Sequence, residues 1–503
     1  MCKHPMLGMA LLFSLICIFS IQNVHAQKRS IPIDSVVETN HTTTINGNAV
    51  SYIATTGTQP VWDDEGNPIA TLYYTYYQRD DLTDTDNRPL LISFNGGPGS
   101  GSVWMHVAYT GPYILNIDEE GYPVQPYGVS ENPYSVLDVA DVVFINPVNT
   151  GYSRMVPDAE GKMPDKKQFF GVNEDISYLA EWINTFVTRH NRWTSPKFII
   201  GESYGGTRVS GLALELQERQ WMYLNGVILV SPADYHVLRG DVVLSTGINF
   251  PYFAAAAWYH KMLPSELQAK DLLEILPEVE DFTLNTYMPA LSKGGFISAE
   301  EKQSVAEKMS HYSGLSVKSI LQNNLAISTS FFWKELLRDK SGHTIGRLDS
   351  RYLGIDKAEA GSRPNYSAEL TSWLHSFTPA INYYLREKLN YKTDVKYNMF
   401  GPVRPWSFDN NSVREDLRQA MAENPYMNVM FQSGYYDGAT TYFNAKYTMW
   451  QIDPSGKMKD RLSFNGYRSG HMMYLRHEDL KSANDDLREF ILNSLANGES
   501  AKY

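Results

Sequence analysis

Cysteine is nearly missing from this chain. The two that occur in 503 residues, Cys2 and Cys17, both precede residue 27. If that leader is removed, no disulfide, thiolate metal site or cysteine nucleophile remains, and stability must rest on a core that a chain of this length can readily bury. Long apolar runs are also missing after Ile21, since no later stretch approaches about 20 unbroken apolar residues, which excludes a conventional membrane helix there. Positive charge is in short supply, with 44 Lys and Arg against 56 Asp and Glu and a net charge of -12. Such a balance speaks against nucleic acid or an anionic membrane as partner and serves solubility. No HExxH pattern or other persuasive metal spacing occurs, and no glycine-rich loop is followed by Lys-Ser/Thr or forms a helix-opening G-x-G-x-x-G. Neither a metal nor any other cofactor is therefore expected.

What is present begins with a compartment signal. Lys3 and His4 precede an apolar run from Met6 to Ile21, and Val24-His25-Ala26 places small residues before Gln27. The pattern predicts a cleaved secretory signal over 1–26 and a secreted or periplasmic protein. Lipid attachment at Cys17 is disfavoured because Leu15-Ile16 lacks the small residue that such processing requires. Cleavage removes one lysine and no acid, taking the formal charge from -12 to -13.

Beyond the leader, Ala49 to Ile53 and Pro68 to Tyr77 alternate apolar and polar positions around a turn-rich Asp63 to Pro68, which predicts antiparallel strands. Short apolar runs at Pro89–Phe94, Asp141–Ile145, Phe198–Ile200 and Leu224–Val230 read as buried strands. Between them, Ile176, Leu179, Ala180, Ile183 and Val187 recur at helical spacing after Asn173, with Glu174 and Asp175 in the first turn. Strands alternating with helices imply an α/β fold with a mostly parallel central sheet covered on both faces. Residues 234–397 break the pattern: helical segments such as Pro264 to Leu276 and Ala299 to Ser310 dominate, and Ser298 to Glu301 reads as a capping box. The expected organisation is a core over 27–233, a mainly helical insertion over 234–397 and a second core part over 398–503. That second part carries strands at Asn428–Phe431 and Leu462–Phe464 and a closing helix from about Glu478.

The chain is organised around Gly201-Glu202-Ser203-Tyr204-Gly205, which follows the apolar run Phe198-Ile199-Ile200 and opens a segment with Val209, Leu212, Ala213 and Leu216 on one face. A G-x-S-x-G between strand and helix is a nucleophile elbow, a turn so tight that the serine hydroxyl stands clear of the backbone. A serine hydroxyl needs a general base, and the base needs a group to fix its tautomer. His471 follows the last strand and Asp437 the strand before it, giving the chain order Ser, Asp, His that this architecture produces. Taken alone, His471 could equally be a loop histidine bonded to a carbonyl, and Asp437 before Gly438 is ordinary turn chemistry. Oxyanion donors are expected from the Tyr204 N–H and from the loop Asn95-Gly96-Gly97-Pro98-Gly99.

Four stretches together, Asn95 to Ser100, Pro147 to Ser153, Gly201 to Gly206 and Gly470-His471-Met472, resemble the serine carboxypeptidase family. The resemblance implies an α/β-hydrolase fold with a helical cap over the site, and release of single residues from the C-termini of peptides or proteins. It implies Ser203, Asp437 and His471 as the triad and Gly97 and Tyr204 as oxyanion donors. Asn95, Gly96 and Glu202 would meet the substrate, with Asn95 and Glu202 holding its terminal carboxylate. A carboxyl beside the nucleophile would repel that carboxylate unless Glu202 is protonated, which favours binding at acidic pH. The sequence departs from the family pattern in four places: Tyr109 stands where a second glutamate is usual, Ile145 for an aspartate, Asn149 for a glycine and Ser100 for a cysteine. Arg154 and Arg208 would either supply replacement charge or form structural ion pairs. Related acyl-transfer specificities (aminopeptidase, esterase, acyltransferase) and a non-catalytic binding protein stay open, and the sequence is compatible with a homodimer.

Overall fold

Why the middle of the chain reads as unbroken apolar runs is explained by where those runs lie. In the computed structural model, which describes residues 29–82, 87–233, 242–410 and 413–495 together with 498 and 500, they are inner strands with both faces covered. Along them, successive side chains feed two separate cores. Leu91, Phe198, Ile200, Ile228 and Met430 pack with one set of helices, while Leu90, Ile92, Ile199, Val227 and Phe431 pack with the other.

The strands are β1 (Ser35–Ile45), β2 (Asn48–Trp62), β3 (Pro68–Arg79), β4 (Leu90–Phe94), β5 (Asp141–Ile145), β6 (Lys197–Glu202), β7 (Gly226–Val230), β8 (Asn428–Gly434) and β9 (Leu462–Tyr467). They lie in the order β1-β2-β3-β5-β4-β6-β7-β8-β9, and Arg154–Met155 adds a short tenth strand against β3. Pairing is antiparallel from β1 to β5 and parallel from β5 to β9. One face carries α1 (Val172–Arg189) and α2 (Tyr204–Arg219), through Ile176, Leu179, Val209 and Leu212. The other carries the closing helix His477–Asn493, through Leu480, Ala483 and Leu487.

The first strand is a finding beyond the sequence reading. Ser35–Ile45 is mostly polar and partly exposed, so its periodicity is faint. The overlooked signal is the turn, Asn46-Gly47, both at positive φ (48° and 80°), the pair that a two-residue hairpin favours.

Between β7 and β8 a helical body gathers around Phe250, Phe253, Ile275, Val279 and Phe332. The single helix expected over Pro264 to Leu276 is instead two, Ser265–Gln268 and Leu272–Phe282. The break falls where Asp271 caps the second helix, accepting from the Leu273 N–H while Glu274 reaches back to Asp271. At Ala299–Ser313, Ser298 accepts from the Glu301 N–H, one half of the expected capping box, while the Glu301 carboxylate turns instead to Lys293 at 2.6 Å. Two short strands, Thr344–Ile345 and Leu353–Gly354, pair antiparallel in this body, and the loop between them reaches the carboxyl edge of the main sheet. The expected leader, residues 1–26, lies outside the described residues. Among the described residues no helix is long and apolar enough to cross a membrane.

Candidate active site

Four loops leave the carboxyl ends of β4, β6, β8 and β9, and each delivers part of one constellation. At the end of β6 the chain turns into α2 through Ser203, whose φ of 58° and ψ of -125° lie where a non-glycine residue is held under strain. Tight packing holds the turn. The Ser203 N–H donates to the Val230 carbonyl at 2.9 Å, and a Cβ on Gly201 would stand 2.1 Å from the Gly205 carbonyl oxygen. The loop after β4 presses on the same turn: a Cβ on Gly96 would lie 2.5 Å from the Tyr204 nitrogen. Bare backbone at these positions is what lets the loop and the elbow meet.

His471 donates from Nδ1 to Asp437 Oδ2 at 2.6 Å. Asp437 is fully buried, and its Oδ1 accepts from the N–H groups of Ala439 at 2.8 Å and Thr440 at 3.1 Å. The Thr440 hydroxyl donates to Oδ2 at 2.5 Å. A carboxylate so supplied with donors stays an acceptor, which fixes the imidazole proton on Nδ1 and leaves Nε2 free to act as base. Burial of the imidazole opposes its charged form. The charge and hydrogen bond of Asp437, with the charge of Glu202, outweigh this and hold the group above its ordinary value, while Arg347 pulls the other way. Ser203 and His471 line one cavity of about 240 Å³ with Gly96, Gly97 and Glu202. Among the described residues no hydrogen bond joins the Ser203 hydroxyl to the imidazole, and such contacts often tighten only when substrate closes the site.

Behind the serine, Glu202 is 3 % exposed. Asn95 donates from its side-chain amide to one carboxyl oxygen, and the Tyr474 hydroxyl donates to the other at 2.8 Å. The Asn95 amide is itself oriented, because its oxygen accepts from the Met105 N–H at 3.1 Å. Burial pushes the Glu202 carboxyl up to about 7, against the lowering effects of His471, Tyr474 and Asn95. Tyr109 does not face Glu202 directly. Its hydroxyl donates to Gln432 at 2.7 Å, and its ring stacks on that of Tyr474 at 4.8 Å between centroids. The hydroxyl that reaches Glu202 comes instead from Tyr474, a residue the sequence reading missed although it lies three positions from His471.

Asn149 and Ser100 have local explanations, and Ile145 is a buried strand residue for which the contacts give no particular reason. Asn149 has a φ of 66°, a conformation asparagine tolerates better than most residues. Ser100 accepts from the Trp104 indole N–H at 2.8 Å. Arg208 is fully buried and pairs with Asp175 at 2.7 Å. It also donates to the Asn95 carbonyl at 2.6 Å and the Pro98 carbonyl at 3.3 Å, so it fastens the glycine-rich loop to α2 from beneath. Arg154 donates to the carbonyls of Gly151, Ser153 and Lys396. Both arginines serve the framework. The cation that does line the cavity is Arg347, from the helical body, together with Leu370 and Trp373. Among the described residues no cluster of three His, Cys, Asp or Glu is placed to hold a metal ion.

A mostly parallel sheet with helices on both faces, and a strained serine between strand and helix at its carboxyl edge, define an α/β-hydrolase. The model of the serine carboxypeptidase family matches residues 61–449, and the chain belongs to that family. Among curated relatives it is similar to serine carboxypeptidase-like 36 of Arabidopsis thaliana, 29% identical over 179 residues, 35% of this chain and 34% of the relative. It is also similar to carboxypeptidase Y homolog A of Pyricularia oryzae, 26% identical over 232 residues, 45% of this chain and 36% of the relative. These alignments thus span about a third of each relative's own length. Among solved structures, KEX1(delta)P, a prohormone-processing carboxypeptidase from Saccharomyces cerevisiae, superposes with a TM-score of 0.52 at 15% identity. That match covers 88% of this chain and 91% of the other, and it supports the fold.

Proposed function

We propose that this protein is an exported serine carboxypeptidase that removes single residues from peptide C-termini through an acyl-enzyme on Ser203. The observation that carries this reading is Glu202, a buried carboxyl one residue before the nucleophile, bonded on both oxygens and pushed up to about 7. Protonated, it can donate a hydrogen bond to a substrate carboxylate; ionised, it would repel one.

In the reaction, His471 Nε2 takes the Ser203 proton as the hydroxyl oxygen attacks the last peptide carbonyl. The N–H groups of Gly97 and Tyr204 meet the oxygen that becomes negative. Collapse breaks the C–N bond, and the imidazolium returns its proton to the departing amine. Water, deprotonated by the same nitrogen, then attacks the ester and frees Ser203. Asp437 steadies the imidazolium without accepting its proton.

The division into core, helical cap over 234–397 and second core part belongs to the same reading, supported by the reach of Arg347, Leu370 and Trp373 into the cavity. Export is supported by the charged, then apolar, then small-residue order of the first 26 residues. Blocked dipeptides with free and with amidated C-termini test the proposal. The free acids are expected to be turned over preferentially below pH 7, and equal turnover of acids and amides there would overturn it.

A further inference from the structure

The loop that joins the two short strands of the helical body, residues 346–352, lies directly on the loops carrying His471 and Asp437. The Leu348 carbonyl accepts from the His471 N–H at 2.6 Å, and the Arg347 carbonyl accepts from the Gly438 N–H at 3.0 Å. Ser350 donates to the Tyr436 carbonyl from both its N–H and its hydroxyl, the latter at 2.8 Å. The Leu348 N–H donates to the buried carboxyl of Glu369 at 2.9 Å. The backbone around Arg347 is thus fastened on three sides.

Its side chain is not. Arg347 is exposed, it lines the cavity that holds Ser203, and among the described residues its guanidinium has no hydrogen-bond or ion-pair partner. Of the carboxyls near it, Asp437 is engaged with His471 and Asp349 with Arg351 at 2.7 Å, while the buried Glu369, whose Oε1 accepts from the Leu348 N–H, acts on it through charge without bonding it. A fastened backbone holding out an unpaired guanidinium suits recognition of a carboxylate, whose two oxygens match its fork of donors.

Position decides which carboxylate. One side of the cavity carries Ser203 and Glu202, with Trp373 buried in the same core as the sheet, whereas Arg347 comes from the loop of the helical body. At about 240 Å³ the cavity is smaller than the roughly 300–1,000 Å³ of clefts that enclose whole small-molecule ligands, and suits one residue. A departing residue whose α-carboxylate rests near Glu202 and Asn95 would direct its side chain toward the helical body. We propose that Arg347 is a specificity-determining residue that pairs with a side-chain carboxylate of the departing residue, so that the site prefers peptides ending in Asp or Glu. This deepens the carboxypeptidase reading and rests on it.

The test compares kcat/KM for blocked dipeptides ending in Glu, Gln and Leu, with their amides, in the full chain and in its Arg347→Met and Arg347→Lys variants. An ion pair at a partly solvated site predicts a Glu-to-Gln ratio of about fivefold in the parent. The ratio should fall to about one in Arg347→Met and survive in Arg347→Lys. Because the charge of Arg347 also acts on His471, absolute rates will move with the substitution, but a ratio at one pH cancels that effect. A parent ratio near one, or a ratio unchanged in Arg347→Met, overturns the proposal. So does an equal fall for all free acids with the amides spared, which would assign Arg347 to the α-carboxylate. Cleavage of Leu and Gln substrates without Glu preference sinks this inference alone; cleavage of none of the free acids sinks the carboxypeptidase reading with it.

Discussion

Replacing Glu202 by glutamine separates binding from acid-base chemistry, because it keeps the shape of the side chain and removes its proton. In the parent the carboxyl sits at about 7 against an ordinary value of 4.5. Near pH 8 about one molecule in eleven therefore holds Glu202 neutral, and kcat/KM for a free-carboxylate substrate should be about tenfold below its value with Glu202 fully protonated. His471, held above its ordinary value, must lose its proton to act as base, so a rising limb overlaps the falling one and the profile is a narrow bell. In Glu202→Gln the falling limb should vanish. The rising limb should move to lower pH, because a negative charge that supports the imidazolium is gone.

Stability follows the same linkage. A carboxyl raised in the folded state favours the fold most below its unfolded value, and that contribution is lost as pH climbs from about 4.5 to about 7. Denaturant titrations should therefore show the variant gaining on the parent by about 3 kcal/mol between pH 4 and pH 8. The glutamine oxygen can still accept from the Asn95 amide, but its NH2 then faces the Tyr474 hydroxyl, which must accept rather than donate, a rearrangement that costs about 1 kcal/mol at every pH. A falling limb that persists in Glu202→Gln, or a parent profile flat from pH 6 to 9 on free acids, would mean that the protonation of Glu202 does not govern binding of the substrate carboxylate.

Three further outcomes follow from the same contacts. Tyr474→Phe keeps the stack on Tyr109 but removes the hydroxyl that favours ionised Glu202, so the falling limb on free acids should move to higher pH; no movement would separate the two residues functionally. Arg208→Met leaves Asp175 buried without its partner and frees two loop carbonyls, and urea unfolding should show a loss of about 3–5 kcal/mol; a loss under 1 would mean the pair is not a fastening. Asp437→Asn should lower kcat by about 10⁴ with little change in KM, because the amide no longer fixes the imidazole tautomer; a loss under tenfold would remove Asp437 from the mechanism.

The inner strands were readable in the sequence because burial on both faces leaves no polar alternation to confuse them, as at Leu90–Phe94 and Asp141–Ile145. Ser203 and Asp437 stood out because each follows such a strand by only a few positions, and His471 because it follows the sheet's edge strand, Leu462–Tyr467, by four. Where the signal was carried by pairing, it faded. The polar strand Ser35–Ile45 gains its place from the Asn46-Gly47 turn and its partner, and the break before Leu272 depends on a cap that competes with an otherwise helical pattern. Least legible were contacts between residues far apart in the chain. Tyr474 meets Glu202 across 272 positions, and Arg347 reaches the site from a helical body whose sequence gives no sign of facing Ser203.

Everything above requires Ser203 to be the nucleophile of a site armed by His471. Labelling with a fluorophosphonate, followed by peptide mapping, measures this directly. One adduct per chain on the peptide carrying Ser203, forming fastest where the imidazole is neutral and lost in both Ser203→Ala and His471→Ala, is the predicted result. Labelling of a different serine, or labelling of Ser203 at an undiminished rate in His471→Ala, would contradict it.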